Sequence, residues 1–358
     1  MHNSLKLILL IWSFLIITAN YAQNIICSGC NKKIEGTYLK IDNKYFHPEH
    51  FLCEKCGKII EGNYHKESNK YYHSSCYAEA FIGKCEVCKK AIESEYIVKD
   101  GKKYHPECFN EKVALKCSIC SKVINDEYFN DFYGNAYHAF HEKEYPKCDN
   151  CRRLICSAIT EGGKVISDGR NLCNICLRNA VKSEKEINNL FKKVLSQLNK
   201  DGFKIIIKDR KVISADRKLL KKVAGNNYLE NIKGFCVSDK KTIIGLTKNK
   251  SWTNHSIYIL NNVPAVFIES TIAHELMHIW ITQNTKGEQD EDFIEGSCNY
   301  LSYHYLRNNN LEDAKVIKEF IMKDNSVIYG DGFRKVLKKM QGMPLNHLLS
   351  LLRQRKSI

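Results

Sequence analysis

The feature that most constrains the fold is a repeat of cysteine and histidine pairs. From residue 27 onward the cysteines come as C-x2-C pairs, and each of the first four is followed by an H-x2-C or H-x2-H pair. The gap between the two pairs is 16 residues three times and 17 residues once. A tetrahedral zinc ion takes four thiolate or imidazole ligands, which two such pairs supply. A disulfide joins two cysteines and does not involve histidine, so the mixed pairs predict zinc sites.

Five four-ligand sites follow from this pattern. The fifth is all-cysteine and has 21 residues between its pairs. The predicted structural zinc ligands are Cys27, Cys30, His47, His50, Cys53, Cys56, His73, Cys76, Cys85, Cys88, His105, Cys108, Cys117, Cys120, His138, His141, Cys148, Cys151, Cys173 and Cys176. They leave three of the 17 cysteines, which are Cys156, Cys236 and Cys298. Cys156 lies inside the fifth site, as either a competing ligand or a small buried apolar residue.

The spacing of the first two sites identifies their module. Only two residues separate His50 from Cys53, so these zinc sites must pack rigidly against each other. The pattern over 27–76 resembles a LIM domain, a tandem zinc module that generally binds proteins. The next tandem, 85–141, has eight residues between Cys108 and Cys117 where a LIM domain has two. We therefore describe it as LIM-like.

A second motif lies in "TIAHELMHIWI", residues 271–281. His274 and His278 are four residues apart, so on a helix both imidazoles project from one face and can coordinate one metal ion. Glu275 points beside them, toward the place of an attacking water molecule. The uncharged flanks predict a buried helix. The alternative is a core helix that carries two hydrogen-bonded histidines.

A catalytic zinc keeps three protein ligands, so a third is needed. Glu295 lies in the next predicted helix, and Gly296 beside it is expected to permit close approach to the first helix. We predict Glu295 as the third ligand, with Glu291 as the main rival and His304 as a weaker one. The possible donors to a reaction oxyanion are Tyr300, Tyr303 and His304.

This arrangement resembles the gluzincin metallopeptidases, in which two histidines and a glutamate from the next helix hold zinc. The whole order resembles the plant ubiquitin-activated LIM peptidases. That resemblance rests on "DGRNLCNICL" (168–177), "GFCVSD" (234–239), "AHELMHIW" (273–280) and "EGSC" (295–298), and it covers about 27–340. It implies a zinc metallopeptidase that cuts protein substrates, with His274, His278 and Glu295 as catalytic-zinc ligands. Ubiquitin dependence is not carried over, because a predicted signal peptide occupies the place of the ubiquitin-interacting helices.

The remainder of the chain completes the predicted architecture. After residue 176 an amphipathic helix stops at Gly202, the runs "FKIIIK", "KTIIGLTK" and "SIYILNN" read as strands, and further helices follow. We predict an α+β multidomain chain with tandem zinc-binding LIM and LIM-like modules followed by a zincin-like metallopeptidase domain, a small sheet with active-site helices. The predicted segments are a signal peptide (1–22), a LIM domain (27–80), a LIM-like two-zinc module (81–145), a four-cysteine zinc knuckle module (146–180) and the zincin-like domain (181–358).

The first residues predict export. Lys6 precedes an apolar run and small residues around Ala22, which is typical of a secretory signal peptide and too short for a favoured membrane anchor. The net charge of +15 does not indicate nucleic-acid binding, because no knuckle is followed by a basic recognition helix. We expect a secreted or periplasmic zinc endopeptidase with Glu275 as general base, one catalytic zinc and about five structural ones, and protein partners on the LIM modules. The alternative is a non-catalytic secreted LIM-type adaptor.

Overall fold

The computed structural model describes residues 25–205, 207, 210–243, 250–285, 287 and 289–358, and the backbone of the short strands Ser4–Lys6 and Ile16–Ile17. The predicted signal peptide otherwise lies outside the described residues. The chain divides into two compact units, residues 1–115 and 116–358. The division falls in the eight-residue spacer between Cys108 and Cys117, so the predicted LIM-like module (81–145) extends across it. No helix in the described part of the chain is long and apolar enough to cross a membrane.

The first unit is built from zinc knuckles and short antiparallel hairpins. A C-x2-C knuckle precedes each hairpin, and a histidine ends or directly follows the hairpin's second strand. The hairpins are Tyr38–Ile41 with Lys44–Phe46, Tyr64–Glu67 with Lys70–His73, and Tyr96–Lys99 with Lys102–Tyr104. The helical segments are Pro48–His50, Ser74–Tyr77, Ala78–Ile82 and Pro106–Lys112. Such short elements bury little apolar surface, so we expect metal binding to supply much of this unit's folding free energy.

The second unit begins with two further knuckles. Their hairpins are Tyr128–Asn130 with Ala136–His138 and Gly163–Val165 with Asn171–Cys173. Their short helices are His141–Glu144, Ser157–Thr160 and Asn174–Arg178. The four cysteines of the fifth site belong to the same hydrophobic core as Ile187, Phe191 and Trp280. This four-cysteine site is therefore part of the main core of the unit.

A three-stranded sheet forms one layer of the second unit. It consists of β1 (Arg210–Ala215), β2 (Gly234–Ile243) and β3 (Lys250–Leu260) in the order β1-β3-β2. β1 is parallel to β3, and β2 is antiparallel to it with Cys236 opposite Ile257. A separate short antiparallel pair joins Ala180–Val181, before the sheet in sequence, to Val263–Pro264, after it. Within the described residues β2 therefore pairs on one side only.

The helices of the second unit complete the α+β arrangement predicted from the sequence. They are α1 (Glu184–Lys200), α2 (Arg217–Ala224), α3 (Ala265–Asn284), α4 (Glu291–Tyr305), α5 (Glu312–Met322), α6 (Gly332–Lys339) and α7 (Leu345–Gln354). A reciprocal capping box between Ser183 and Glu186 starts α1. α3 begins directly after Pro264 and buries Leu276, Met277 and Trp280, in agreement with the buried helix predicted around 271–281.

The strand predictions were partly confirmed. The first three residues of "KTIIGLTK" end β2, and "SIYIL" of the predicted strand "SIYILNN" ends β3. The run "FKIIIK" was expected to be a strand, but its described residues are not, and β1 starts only at Arg210. Residues 206, 208, 209 and 244–249 lie outside the described part. The C-terminal part of the predicted strand "KTIIGLTK" falls there.

Candidate active site and structural zinc sites

The structure brings all twenty predicted structural ligands together in the predicted groups of four, with the donor atoms of each group within 4.8 Å of one another. Cys30 Sγ lies 3.5 Å from His47 Nδ1, and Cys151 Sγ lies 3.8 Å from Cys173 Sγ. A tetrahedral zinc with bonds of about 2.3 Å to sulfur and 2.0–2.1 Å to nitrogen places such pairs about 3.5 Å and 3.8 Å apart. The spacing of the donor atoms therefore fits zinc.

Backbone N–H groups stabilise the thiolate form of the first cysteine in each of the first four knuckles. The backbone N–H groups of Gly29 and His47 donate to Cys27 Sγ at 3.3 Å and 3.4 Å. Burial opposes ionisation, but these bonds outweigh it and lower the pKa of Cys27 to about 6. The same balance lowers the pKa values of Cys53, Cys85 and Cys117 to about 6. Thiolate is the form that binds metal.

The fourth and fifth groups carry further signs of a metal ion. His141 Nδ1 pairs with Glu144 Oε2 at 2.6 Å, while its Nε2 is buried without a partner among the described residues. A metal ion would satisfy that nitrogen. In the fifth group the buried Arg153 donates from Nε to Cys151 Sγ at 3.3 Å. Four thiolates around one Zn²⁺ carry a net negative charge, which this guanidinium partly balances.

A sixth group of ligands forms where α3 meets α4. His274 Nε2 lies 3.2 Å from His278 Nε2 and 3.2 Å from Glu295 Oε2. His278 Nε2 lies 3.5 Å from Glu295 Oε1. Nitrogen and oxygen ligands of a tetrahedral zinc lie about 3.3 Å apart. Burial lowers the pKa of His278 to about 4, so this imidazole is neutral at pH 7, as a ligand must be.

Glu275 is buried directly beside this group. Its carboxylate accepts a hydrogen bond from the backbone of Cys236 on β2. Gly234 on the same strand allows the approach, because a Cβ there would lie 3.3 Å from Glu275 Oε1 and would overlap Thr271. Burial, reinforced by the charge of Glu295, raises the pKa of Glu275 to about 7. A carboxyl with such a pKa can both accept and return a proton near neutral pH.

Asn299 contacts the ligand group, and the sequence reasoning did not single it out. His274 Nδ1 lies 3.1 Å from Asn299 Oδ1, and Asn299 Nδ2 donates to the backbone carbonyl of Tyr329 at 3.3 Å. Because Nδ1–H is the donor in the first bond, the lone pair of His274 Nε2 faces the other ligands. The available signal was the spacing, since Asn299 follows Glu295 by one helical turn on the same face.

Other predicted site residues lie elsewhere. Glu291 starts α4 one turn before Glu295, and Glu295 is the carboxylate that contacts the two histidines. His304 Nε2 faces Asp201 Oδ2 at 3.6 Å, and Tyr303 packs against Phe333. Tyr300 and His304 lie about 140° and 180° around the helix from Glu295. The geometry therefore does not favour these three residues as oxyanion donors.

The glycine beside Glu295 also has a different role from the one predicted. A Cβ on Gly296 would overlap the backbone of Gly332, at the start of α6. Gly296 therefore permits close contact between α4 and α6, whose backbone is what a Cβ there would meet first. Cys156 caps the short helix Ser157–Thr160, and the ligands grouped at the fifth site do not include it.

Comparison with known proteins agrees with this architecture. Residues 27–81 match the LIM domain family. The chain is 24% identical over 257 residues to Protein DA1 of Arabidopsis thaliana, which covers 57% of this chain and 48% of that protein. It is 23% identical over 287 residues to LIM domain-containing protein HDR3 of Oryza sativa subsp. japonica, covering 62% and 56% respectively. Protein DA1-related 1 of Arabidopsis thaliana is 23% identical over 279 residues, covering 61% and 50%.

The chain thus spans about half the length of these curated relatives. The matched stretch is long enough to extend well beyond the 55 residues of the LIM match. Residues 27–81 are therefore a LIM domain, and the chain is a relative of the plant DA1 and DA1-related LIM proteins.

Proposed function

We propose that the chain is a zinc-dependent endopeptidase that hydrolyses protein substrates. The observation that carries this proposal is the placement of one buried carboxylate, Glu275, beside a three-ligand group of two histidines and Glu295. Three protein ligands leave a fourth position for a reactant, whereas the other five groups are closed by four ligands. This difference separates a catalytic site from a structural one.

Each residue of the site has a role in amide hydrolysis. A zinc ion bound there would polarise the substrate carbonyl and lower the pKa of water. Glu275 accepts a proton from the attacking water and later delivers it to the leaving amine nitrogen. His274, His278 and Glu295 would hold the metal, and Asn299 fixes the orientation of His274.

The sheet supports an extended peptide as the substrate. β2 runs past Glu275 and, within the described residues, pairs only with β3. Its other edge can add a further strand through backbone hydrogen bonds, a mode of binding that suits a segment of a protein chain. The LIM domain fits recruitment or regulation of a protein partner, since modules of this type generally bind proteins. Action on exported proteins follows from the predicted signal peptide and belongs to the proposal.

The test compares the wild-type chain with Glu275→Gln on a peptide library. Glutamine preserves the size of the side chain but cannot take a proton, so cleavage should fall by about 10²–10⁴-fold while the zinc content stays at six per chain. Glu319→Gln, the same change at a partly exposed carboxylate of α5, serves as the matched control and should leave cleavage unchanged. A wild-type chain that binds five zinc ions and cleaves no peptide would instead support the non-catalytic adaptor.

A further inference from the structure

Tyr329 lies in a short helical turn, Val327–Asp331, that packs against α4. Ser326 Oγ accepts hydrogen bonds from the backbone N–H groups of Tyr329 and Gly330, each at 3.2 Å. Ser326 precedes Val327, the first residue of the turn, so these bonds hold the start of the turn in place. The position of the Tyr329 backbone is therefore well defined.

The turn leads into a very close contact with the helix that carries Glu295. A Cβ on Gly296 would overlap the backbone of Gly332, and a Cβ on Gly332 would overlap the carbonyl of Asp292. The two segments thus meet backbone to backbone one residue from the third metal ligand. Little sliding is possible at such a contact.

The turn is also connected to the first metal ligand. The backbone carbonyl of Tyr329 accepts from Asn299 Nδ2 at 3.3 Å, and Asn299 Oδ1 lies 3.1 Å from His274 Nδ1. Tyr329 is therefore two hydrogen bonds away from His274. Among the described residues, no other tyrosine is linked to His274 through two hydrogen bonds.

The side chain of Tyr329 lies within electrostatic reach of the site. Burial, and then the negative charges of Glu295 and Glu291, raise the pKa of its phenol to about 12. The hydroxyl accordingly keeps its proton at neutral pH and can donate it in a hydrogen bond. Within the described part of the chain this hydroxyl has no hydrogen-bond partner, so it is available to a substrate.

We propose that Tyr329 is a catalytic residue whose hydroxyl donates a hydrogen bond to the oxyanion that develops on the scissile carbonyl. The inference rests on the proposed peptidase function. In that reaction the water oxygen bonds to the carbonyl carbon, the C–N bond breaks, and the proton passes through Glu275 to the amine. Tyr329 keeps its own proton throughout. Its contribution is made in the transition state, where the oxygen carries most charge.

The test is Tyr329→Phe in the full-length, zinc-loaded chain. Loss of one oxyanion donor should lower kcat by about 10²–10³-fold with little change in KM. Binding of a phosphinic peptide, which mimics the tetrahedral oxyanion, should weaken strongly in calorimetry, while zinc content and melting temperature remain those of the wild type. Tyr228→Phe removes a partly exposed phenol hydroxyl from the same unit and should leave kcat unchanged.

The outcomes separate the inference from the proposed function. If the wild-type chain cleaves no peptide, the proposed function fails and the inference fails with it. If the wild-type chain cleaves peptides and Tyr329→Phe retains both kcat and phosphinate affinity, only the inference is overturned. A loss of kcat in Tyr303→Phe, with none in Tyr329→Phe, would overturn it as well.

Discussion

Asn299 links the proposed catalytic metal site to the rest of the second unit. It bridges His274 Nδ1 at 3.1 Å and the carbonyl of Tyr329 at 3.3 Å. Asn299→Ala removes both bonds without touching a ligand. Mutation of a residue that orients a metal-binding histidine typically lowers the metal affinity by about 10–100-fold. We therefore expect zinc binding at this site to weaken by that factor, or about 1.4–2.7 kcal/mol.

A conservative variant sharpens this prediction. Asn299→Asp keeps an acceptor for the His274 Nδ1–H group, but it places a second oxygen toward the Tyr329 carbonyl in place of the amide donor. Its zinc affinity should fall between those of the wild type and Asn299→Ala. A purely structural role would instead make both variants equally weak, because both lose the bond to Tyr329.

The assay must resolve one site among six. The five structural sites contain thiolates, whereas this site offers two imidazoles and a carboxylate. Competition with a chelator of graded strength should therefore release the ion at this site first, while the thiolate sites remain filled. Identical release curves for wild type and Asn299→Ala would refute the role assigned to Asn299.

Three further predictions concern packing and the structural metals. Gly296→Ala should lower the free energy of unfolding by about 1–3 kcal/mol in denaturant titrations, because its Cβ would overlap Gly332, and an unchanged midpoint would contradict that contact. Tyr133→Phe should cost about 1–1.5 kcal/mol, since it removes the 2.8 Å bond from the Tyr133 hydroxyl to Asp313 Oδ1, and a neutral effect would show that the bond is not formed. Cys173→Ser should lower the zinc content by one and the melting temperature by many degrees, because its site belongs to the main core; a stable five-zinc variant would count against this.

The metal ligands could be predicted from the sequence because their geometry is mostly local. A C-x2-C knuckle and an i, i+4 histidine pair each place two donor atoms by backbone geometry alone. Glu295 was harder, because it comes from a different helix. It could still be chosen, since a third ligand was required and the sequence offered few carboxylates within an apolar helix.

The residues proposed to support the reaction could not be found in this way. Tyr300, Tyr303 and His304 were candidates that the sequence could not rank, and each residue advances the helix by about 100°. Two of them consequently point away from the ligand face. The proposed role of Tyr329 depends on the packing of a separate turn against α4 and on the contact between Gly296 and Gly332. That contact is tertiary, and one sequence does not reveal it.

The structural zinc sites illustrate a similar limit. The fifth site was predicted as a separate knuckle module, and its ligands were identified. Its place inside the core with Ile187 and Phe191 was not, because the spacing of cysteines says nothing about what packs around them. The buried Arg153 beside Cys151 escaped prediction for the same reason.

The most direct test of the central claim is an anomalous difference map at the zinc absorption edge from crystals of the full chain. The account predicts six peaks per chain, the sixth lying between His274 Nε2, His278 Nε2 and the carboxylate of Glu295. Five peaks, with none among these three side chains in crystals grown with zinc, would contradict it.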